Sequence, residues 1–158
     1  MTVDELEQYG LEWMDDDAVG AFLDDHAVGI LGLPTDDVPY MIPLSYARDG
    51  DALYFTYLLG AESDKGALTD ERRRGRFLVY DVESQFRWQS VMLTGELSEV
   101  PESAWGDLVE HPSNSWRPSV LQSATTAGGV RVYEFAIEEQ VGIRQSGLAP
   151  SFRENIEP

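Results

Sequence analysis

Residues 39–58 read PYMIPLSYARDGDALYFTYL, and this stretch decides the class of fold. Two apolar runs, 39–47 and 52–58, flank the Asp49-Gly50 pair. An Asp-Gly pair between two such runs is typical of a tight hairpin, because glycine tolerates the positive φ that the turn requires. The stretch therefore predicts two antiparallel strands joined by a short turn.

Similar runs of apolar or alternating apolar and polar residues elsewhere in the chain predict further strands, so the hairpin is expected to be part of a larger sheet. Four further segments are predicted as strands: 26–33, 76–83, 87–100 and 130–144. Short helices are expected over 15–25, 64–74 and 102–110, and a loop over 111–129. Six strands, mostly joined by hairpins, with a few short helices between them predict a β-rich (α+β) fold, a six-stranded antiparallel barrel.

Length and composition predict one domain, residues 1–158. The chain is 42% hydrophobic and 11% aromatic, which is enough to form a core. No repeat or linker divides it, and residues 1–25 are expected to form an acidic helical N-terminal extension.

Missing residue types narrow the chemistry. The chain has no Cys, and its two His are His26 and His111. This composition excludes disulfides, thiolate nucleophiles and multi-histidine metal centres, and we predict no metal site. No apolar run reaches the roughly 18 residues of a membrane span, and the N-terminus lacks the basic and then apolar pattern of a signal peptide, so a cytoplasmic protein without a membrane partner is expected.

The charge indicates the cellular setting. Asp and Glu number 29 against 11 basic residues, the net charge is −18, and Lys65 is the only lysine. Concentrated salt screens such a surface, so the composition is typical of a halophile that accumulates salt; an ordinary acidic cytosolic domain is the alternative. Either setting argues against nucleic-acid binding, which needs a basic face.

The single lysine lies at the predicted start of a helix. Ser63 is a natural N-cap, so Lys65 falls in the first turn of the predicted helix, where a cation opposes the helix dipole. A bound phosphate would resolve that conflict. A solvated lysine paired with Glu62 or Asp64 is the alternative.

Several segments in order resemble one family. These are Pro-Leu-Ser-Tyr at 43–46, Leu-Tyr-Phe-Thr-Tyr at 53–57, Ser-Asp-Lys at 63–65, Phe-Leu-Val-Tyr at 77–80 and Trp-Gln-Ser-Val at 88–91. Together they resemble the flavin-binding split barrel of the pyridoxamine 5′-phosphate oxidase-like families. The resemblance implies an FMN-binding homodimer with the flavin at or near the subunit interface.

The resemblance also implies site residues. Lys65 and Ser63 would hold the FMN phosphate, and the flavin ring would lie near Leu44, Ser45, Thr56 and Tyr57. The strand with Trp88, Gln89 and Ser90 would contribute to the site of its own subunit or to that of the other subunit. Arg87, at the start of that strand, would contact the phosphate or the ring, and a plain ion pair is the alternative.

Two departures limit what the resemblance implies about activity. Asp64 is acidic where relatives are often basic, which should weaken phosphate binding, and near the C-terminus only Arg144 and Arg153 remain to hold a charged substrate. We therefore expect an FMN-dependent oxidoreductase of unknown substrate, with NAD(P)H a possible donor and no catalytic side chain identified. The alternatives are a deazaflavin-dependent reductase on the same barrel, or a non-enzymatic flavin or haem carrier or sensor.

Other conspicuous residues favour structural roles. The run Arg72–Arg76 is expected at a helix C-terminus, where the dipole favours cations, with an anion-binding role as the alternative. His26 and His111 are interpreted as structural, Asp15–Asp17 as a solvated helix start rather than a calcium site, and Trp105 and Trp116 as packing residues.

Overall fold

The computed structural model describes residues 3–58, 73–104 and 130–147. Its elements are α1 (Val3–Gln8), β1 (Leu11–Met14), α2 (Asp16–Asp25), β2 (Val28–Leu33), β3 (Tyr40–Asp49), β4 (Ala52–Leu58), β5 (Arg73–Ser84), β6 (Arg87–Val100), a 3₁₀ turn (Glu102–Ala104) and β7 (Val130–Ser146). No helix within these ranges is long and apolar enough to cross a membrane.

The strands close into the six-stranded antiparallel barrel that the sequence predicts. Their order is β7-β4-β3-β2-β5-β6, and β6 pairs with β7 again to complete the circuit. Strand β7 is long enough to serve both neighbours, because its first half pairs with β4 while nearly its whole length pairs with β6. Closure therefore gives each of these six strands a partner on both sides over at least part of its length.

The hairpin of residues 39–58 forms as predicted. Asp49 pairs with Ala52 across a two-residue turn, and Gly50 has a φ of 58°. A residue with a Cβ is strained in that conformation, so the glycine is what allows the two strands to meet this closely.

The core lies inside the barrel and continues under α2. Phe55, Phe77 and Phe135 pack together, with the Phe55 and Phe77 ring centroids 4.8 Å apart. Helix α2 closes one end by burying Val19, Phe22 and Leu23 in the same cluster. The helix begins where Asp15 accepts a hydrogen bond from the Ala18 backbone N–H at 2.8 Å, so Asp15 is a helix cap.

The N-terminal region is less helical than predicted. Besides α1 and α2 it contains the strand β1, which lies along the second half of β7 and pairs Trp13 with Ile143. The side chains of β1 and α2 meet β7 at Gly142, where an added Cβ would come within 2.8 Å of Met14 Cβ. The extension is therefore packed onto the barrel rather than appended to it.

One helix prediction is wrong at its end. Residues 64–74 were expected to be helical, but Arg73 and Arg74 belong to β5, where they pair with Leu97 and Glu96. The ladder to β6 outweighs local helix propensity here. Arg73, Arg74 and Arg76 are thus strand residues rather than a helix C-terminus. Residues 64–72 lie outside the described residues, as do positions 105–129 of the predicted 102–110 helix and 111–129 loop.

Candidate functional site

The first part of the site is a split between β3 and β4. Their pairing runs from Asp49↔Ala52 to Tyr46↔Phe55, while beyond that point β3 pairs with β2 and β4 pairs with β7. The predicted ring-contacting residues lie on the two sides of this opening: Leu44 and Ser45 on β3, Thr56 and Tyr57 on β4. Backbone groups that face the split have no partner in the β3–β4 ladder, so they are placed to bond a flat polar ligand.

The four residues beside the split differ in exposure. Leu44 is a core residue, 7% exposed, so it supports the site from inside the barrel and offers a ligand only its backbone. Ser45 is exposed on the outer surface. Thr56 and Tyr57 are placed here by backbone pairing with Val132 and Arg131.

The predicted phosphate anchor lies outside the described residues. Ser63 and Lys65 fall between the end of β4 at Leu58 and the start of β5 at Arg73. The chain therefore leaves the split and enters the segment that carries the anchor. The assignment of these two residues stays a prediction.

A row of outward-facing residues connects the split with β6. Ser45 pairs with Val28, and Tyr80 pairs with Ser90. Because Ile30 pairs with Leu78, Val28 and Tyr80 fall opposite each other two residues further along. At about 4.8 Å per strand, the row from Ser45 to Ser90 is about 14 Å long. Two of the predicted site residues thus share one surface.

Strand alternation separates the four predicted residues of β6. Trp88 and Ser90 lie on the outer side with Tyr80, whereas Arg87 and Gln89 point to the other side of the strand. Arg87, Trp88 and Gln89 line a cavity of about 310 Å³ together with Glu12, Asp81 and Arg144. Ser90 is not among the residues that line this cavity.

This cavity is held by its own polar contacts. Arg144 Nε donates to Glu12 Oε1 at 2.7 Å, and Trp88 Nε1 donates to Gln145 Oε1 at 3.0 Å. Arg87 pairs only loosely with Glu83, at 3.9 Å, and both side chains are about two-thirds exposed. An exposed pair of this kind contributes little to stability, so the predicted flavin contact of Arg87 stays a prediction.

Two tyrosines near the split are structural anchors. Tyr46 OH donates to the Leu23 carbonyl at 2.6 Å, and burial together with the nearby Asp24 raises the pKa of its hydroxyl. Burial and Glu134 raise the pKa of Tyr54 to about 12. Both hydroxyls therefore keep their protons near neutral pH.

The remaining candidates take the structural roles expected for them where they are described. His26 ends α2 with Nδ1 2.7 Å from the Phe22 carbonyl oxygen, and its Nε2 is 3.6 Å from Asp81 Oδ2. Asp15 caps α2, and Asp16 and Asp17 occupy its first turn. His111, Trp105, Trp116 and Arg153 lie outside the described residues.

Sequence reasoning did not single out Val28 and Tyr80, which lie between Ser45 and Ser90 in the row. Both are apolar yet more than half exposed, at 57% and 52%. Alternation along each strand gives the outward direction, but only the register between β2 and β5 shows that they adjoin Ser45 and Ser90.

Known proteins resemble this chain in sequence and in fold. A family model described as pyridoxamine 5′-phosphate oxidase matches residues 15–144. An uncharacterised protein of Rhizobium meliloti (strain 1021) is 29% identical over 96 residues, 55% of this chain and 61% of that protein. The match thus spans about three-fifths of that relative's length.

Three solved structures show the same fold. An FAD-binding protein from Mesorhizobium loti has a TM-score of 0.60 at 23% identity, over 86% of this chain and 99% of that one. An FAD and heme binding protein from Mycobacterium smegmatis has a TM-score of 0.70 at 17% identity, over 93% and 78%. A flavocytochrome from Azotobacter vinelandii has a TM-score of 0.59 at 20% identity, over 94% and 76%.

Proposed function

The chain belongs to the pyridoxamine 5′-phosphate oxidase family, and on that premise we propose that it is an FMN-dependent oxidoreductase that acts as a homodimer. The observation that carries the proposal is the split between β3 and β4, which continues into the outward row from Ser45 to Ser90. Relatives in fold are described as binding FAD, which supports a flavin as the ligand.

The residues present fit a flavin. Backbone N–H and C=O groups beside the split match the N–H and C=O groups along the pyrimidine edge of a flavin ring. Val28 and Tyr80 offer the ring an apolar surface next to that edge. Lys65 and Ser63, in the segment that follows β4, would hold the phosphate through charge-assisted hydrogen bonds.

When bound, the flavin would supply hydride or electron transfer, so the chain needs neither a nucleophile nor a metal. The task of the protein is then to bind and orient. Leu44 stiffens β3 from the core side, so the backbone at Ser45 holds its position. Apolar residues around the row exclude water from one side of the ring.

A second copy of the chain is the partner that fits the outer surface. We call the outer apolar face the outward side of β2, β5, β6 and β7 formed by Val28, Ile30, Leu78, Tyr80, Val82, Met92, Val141 and Ile143. Four strands are about 19 Å wide and three rows of residues about 20 Å long, so the face covers on the order of 400 Å². That is about half of the roughly 800 Å² that each partner buries in a standard interface, the remainder being polar rim.

A dimer also resolves the arrangement on β6. Because Arg87 and Gln89 point away from the row that holds Ser90, they cannot face the same ring as Ser90 within one chain. A second subunit would bring its own β6 to the edge of the first subunit's site. We therefore propose that Trp88 and Ser90 contribute to the site of their own chain, and that Arg87 and Gln89 contribute to the site of the partner subunit. On the basis of the acidic composition, we propose the cytoplasm of a cell that accumulates salt as the setting.

The test is a titration of the purified protein with FMN, followed by flavin fluorescence in concentrated salt. We expect saturable binding by the wild type and a loss of affinity of about tenfold or more in Lys65→Ala, because a hydrogen bond to a charged group contributes about 1.5–3 kcal/mol. Lys65→Arg is the matched control and should retain most of the affinity. Equal affinity in Lys65→Ala and wild type would remove Lys65 from the site, and no FMN binding would refute the proposal.

A second measurement separates an enzyme from a carrier. Excess NAD(P)H is added to the FMN-loaded protein under anaerobic conditions, and bleaching of the flavin absorbance is followed. Reduction within seconds supports an oxidoreductase that uses this donor. A flavin that stays oxidised under excess NAD(P)H favours a carrier. Absorbance typical of a deazaflavin in the protein as purified favours the deazaflavin-dependent reductase.

A further inference from the structure

A trough of mixed apolar and basic character lies where the β2–β3 connection passes over the start of β5. Two adjoining cavities of about 450 and 480 Å³ share Pro34 and Arg74. The apolar wall consists of Leu33, Pro34, Pro39 and Met41, and the basic side consists of Arg73, Arg74 and Arg76. Each cavity has a volume within the range of sites for small organic molecules.

Two arginines of the trough, Arg73 and Arg76, differ from four other described arginines in their ion pairing. Arg48, Arg74, Arg87 and Arg144 each pair with a carboxylate. Within the residues that the structure describes, Arg73 and Arg76 have no carboxylate within 4.0 Å. In a chain with a net charge of −18, acidic partners are abundant, so two arginines without one are unexpected.

The position of Arg76 is fixed by the sheet. Gly75 and Phe77 on either side of it are buried, so alternation directs Arg76 outward beside Thr94, its partner on β6. An added Cβ at Gly75 would come within 2.9 Å of the Gly32 carbonyl oxygen, which shows how closely β5 approaches β2 at the floor of the trough. The basic groups are therefore presented by a rigid element, which favours binding.

The charges select the ligand. Arg74 is neutralised by Glu138, whose carboxylate it contacts with Nε at 3.0 Å and Nη2 at 2.5 Å. Arg74 also lies in the field of Glu96 and Glu139, so the positive charge left for a ligand in the cavity of about 450 Å³ is that of Arg76, which has no carboxylate partner among the described residues. One excess positive charge fits a ligand with a single negative charge. Met41 is 64% exposed, so an apolar part of the ligand could bury its side chain.

We propose that this trough binds an amphipathic organic monoanion, a carboxylate with an aromatic or aliphatic body. Arg76 donates to the carboxylate, and the body lies against Pro34, Pro39 and Met41. Binding of the anion does not require a flavin. A role of the anion as substrate rests on the proposed function, because the trough would then lie close to the flavin. Met41 is four residues before Ser45 on the same side of β3, about 13 Å along the strand.

The test uses two probes of one shape, 4-phenylbutyrate and its uncharged amide, measured by calorimetry with FMN-free and FMN-loaded protein. We expect the wild type to bind the carboxylate about tenfold more tightly than the amide. Arg76→Gln should remove that preference while leaving amide and FMN affinity unchanged. Arg87→Gln, an exposed arginine outside the trough, is the matched control and should leave the preference for the carboxylate unchanged in the FMN-free protein. Met41→Ala should weaken both probes equally.

Several results would overturn the proposal. These are equal affinity of the wild type for the two probes, no binding of either, an unchanged preference in Arg76→Gln, or the same loss in Arg87→Gln. Because Arg76 is exposed, its substitution should leave the melting temperature near that of the wild type, and Arg73→Gln repeats the test at a second position. Lys65→Ala should lose FMN and keep the carboxylate, so failure of one proposal is distinguishable from failure of the other.

Discussion

The substitution Val28→Asp tests the homodimer most directly. Val28 is 57% exposed on the outer apolar face, opposite Tyr80. Fully burying a valine contributes about 1.5–3 kcal/mol, so the exposed part adds about 1 kcal/mol per subunit on association. In a symmetric dimer the residue occurs twice, which doubles the effect to about 2 kcal/mol.

The introduced carboxylate adds a larger cost. Desolvating an unpaired charge costs several kcal/mol per ion, again in both subunits. Together the two effects exceed about 6 kcal/mol, so the dissociation constant should rise by more than about 10⁴-fold. Since Val28 faces outward in a single subunit, the substitution should leave the monomer folded.

The assay is sedimentation velocity over a range of protein concentrations in concentrated salt. Val38→Asp is the matched control, because Val38 is 70% exposed on the β2–β3 connection, away from the outer apolar face, and adds the same negative charge to each subunit. We expect the wild type and Val38→Asp to sediment as dimers and Val28→Asp as a monomer with unchanged circular dichroism. A monomeric wild type at tens of micromolar, or equal dissociation in both variants, would refute the reasoning.

Four further substitutions probe the packing that supports the site, each followed by urea unfolding. Gly142→Ala should destabilise the fold by about 1–3 kcal/mol, since its Cβ would lie 2.8 Å from Met14 Cβ. Gly20→Ala in α2 should stabilise the fold by up to about 1 kcal/mol, because its Cβ meets only the flexible end of Arg48. Equal effects of the two substitutions would contradict the packing of α2 on β7. Asp15→Ala should cost about 1 kcal/mol through loss of the cap, and no loss would show that the cap is unimportant. The pKa of Tyr54 is raised from 10.0 to about 12, so its contribution is complete below pH 10 and is lost as the pH rises through 12. Tyr54→Phe should therefore lose less stability than the wild type between pH 9 and 11, and parallel profiles would argue against this assignment.

Local patterns account for most of the elements. The hairpin of residues 39–58 follows from the Asp49-Gly50 pair and its apolar flanks, and the predicted strand at 130–144 agrees closely with Val130–Ser146. Each of these signals is contained within a few consecutive residues. The barrel itself could be predicted because strands joined by hairpins must pair antiparallel, and a six-stranded sheet of this kind buries its apolar side by closing.

The errors arose where distant residues decide the outcome. β5 begins at Arg73 because Leu97 and Glu96 offer it a ladder, and residues 73–74 themselves carry no strand signal strong enough to show this. β1 is a strand because the second half of β7 is free of β4 and can accept it. In both cases the deciding partner is more than twenty residues away in the chain.

The composition and local patterns of the chain alone determined the acidic surface, the absence of thiol chemistry and the side of each strand that faces the core. Only the tertiary structure decided that Ser45, Val28, Tyr80 and Ser90 form one row. It also decided that Arg76 lies beside an apolar wall with no carboxylate partner in the described part of the chain. The physical reason is the period of a strand. Alternation specifies in or out for every residue, but which outward residues become neighbours depends on the register between strands, and that register is set by closure of the whole barrel.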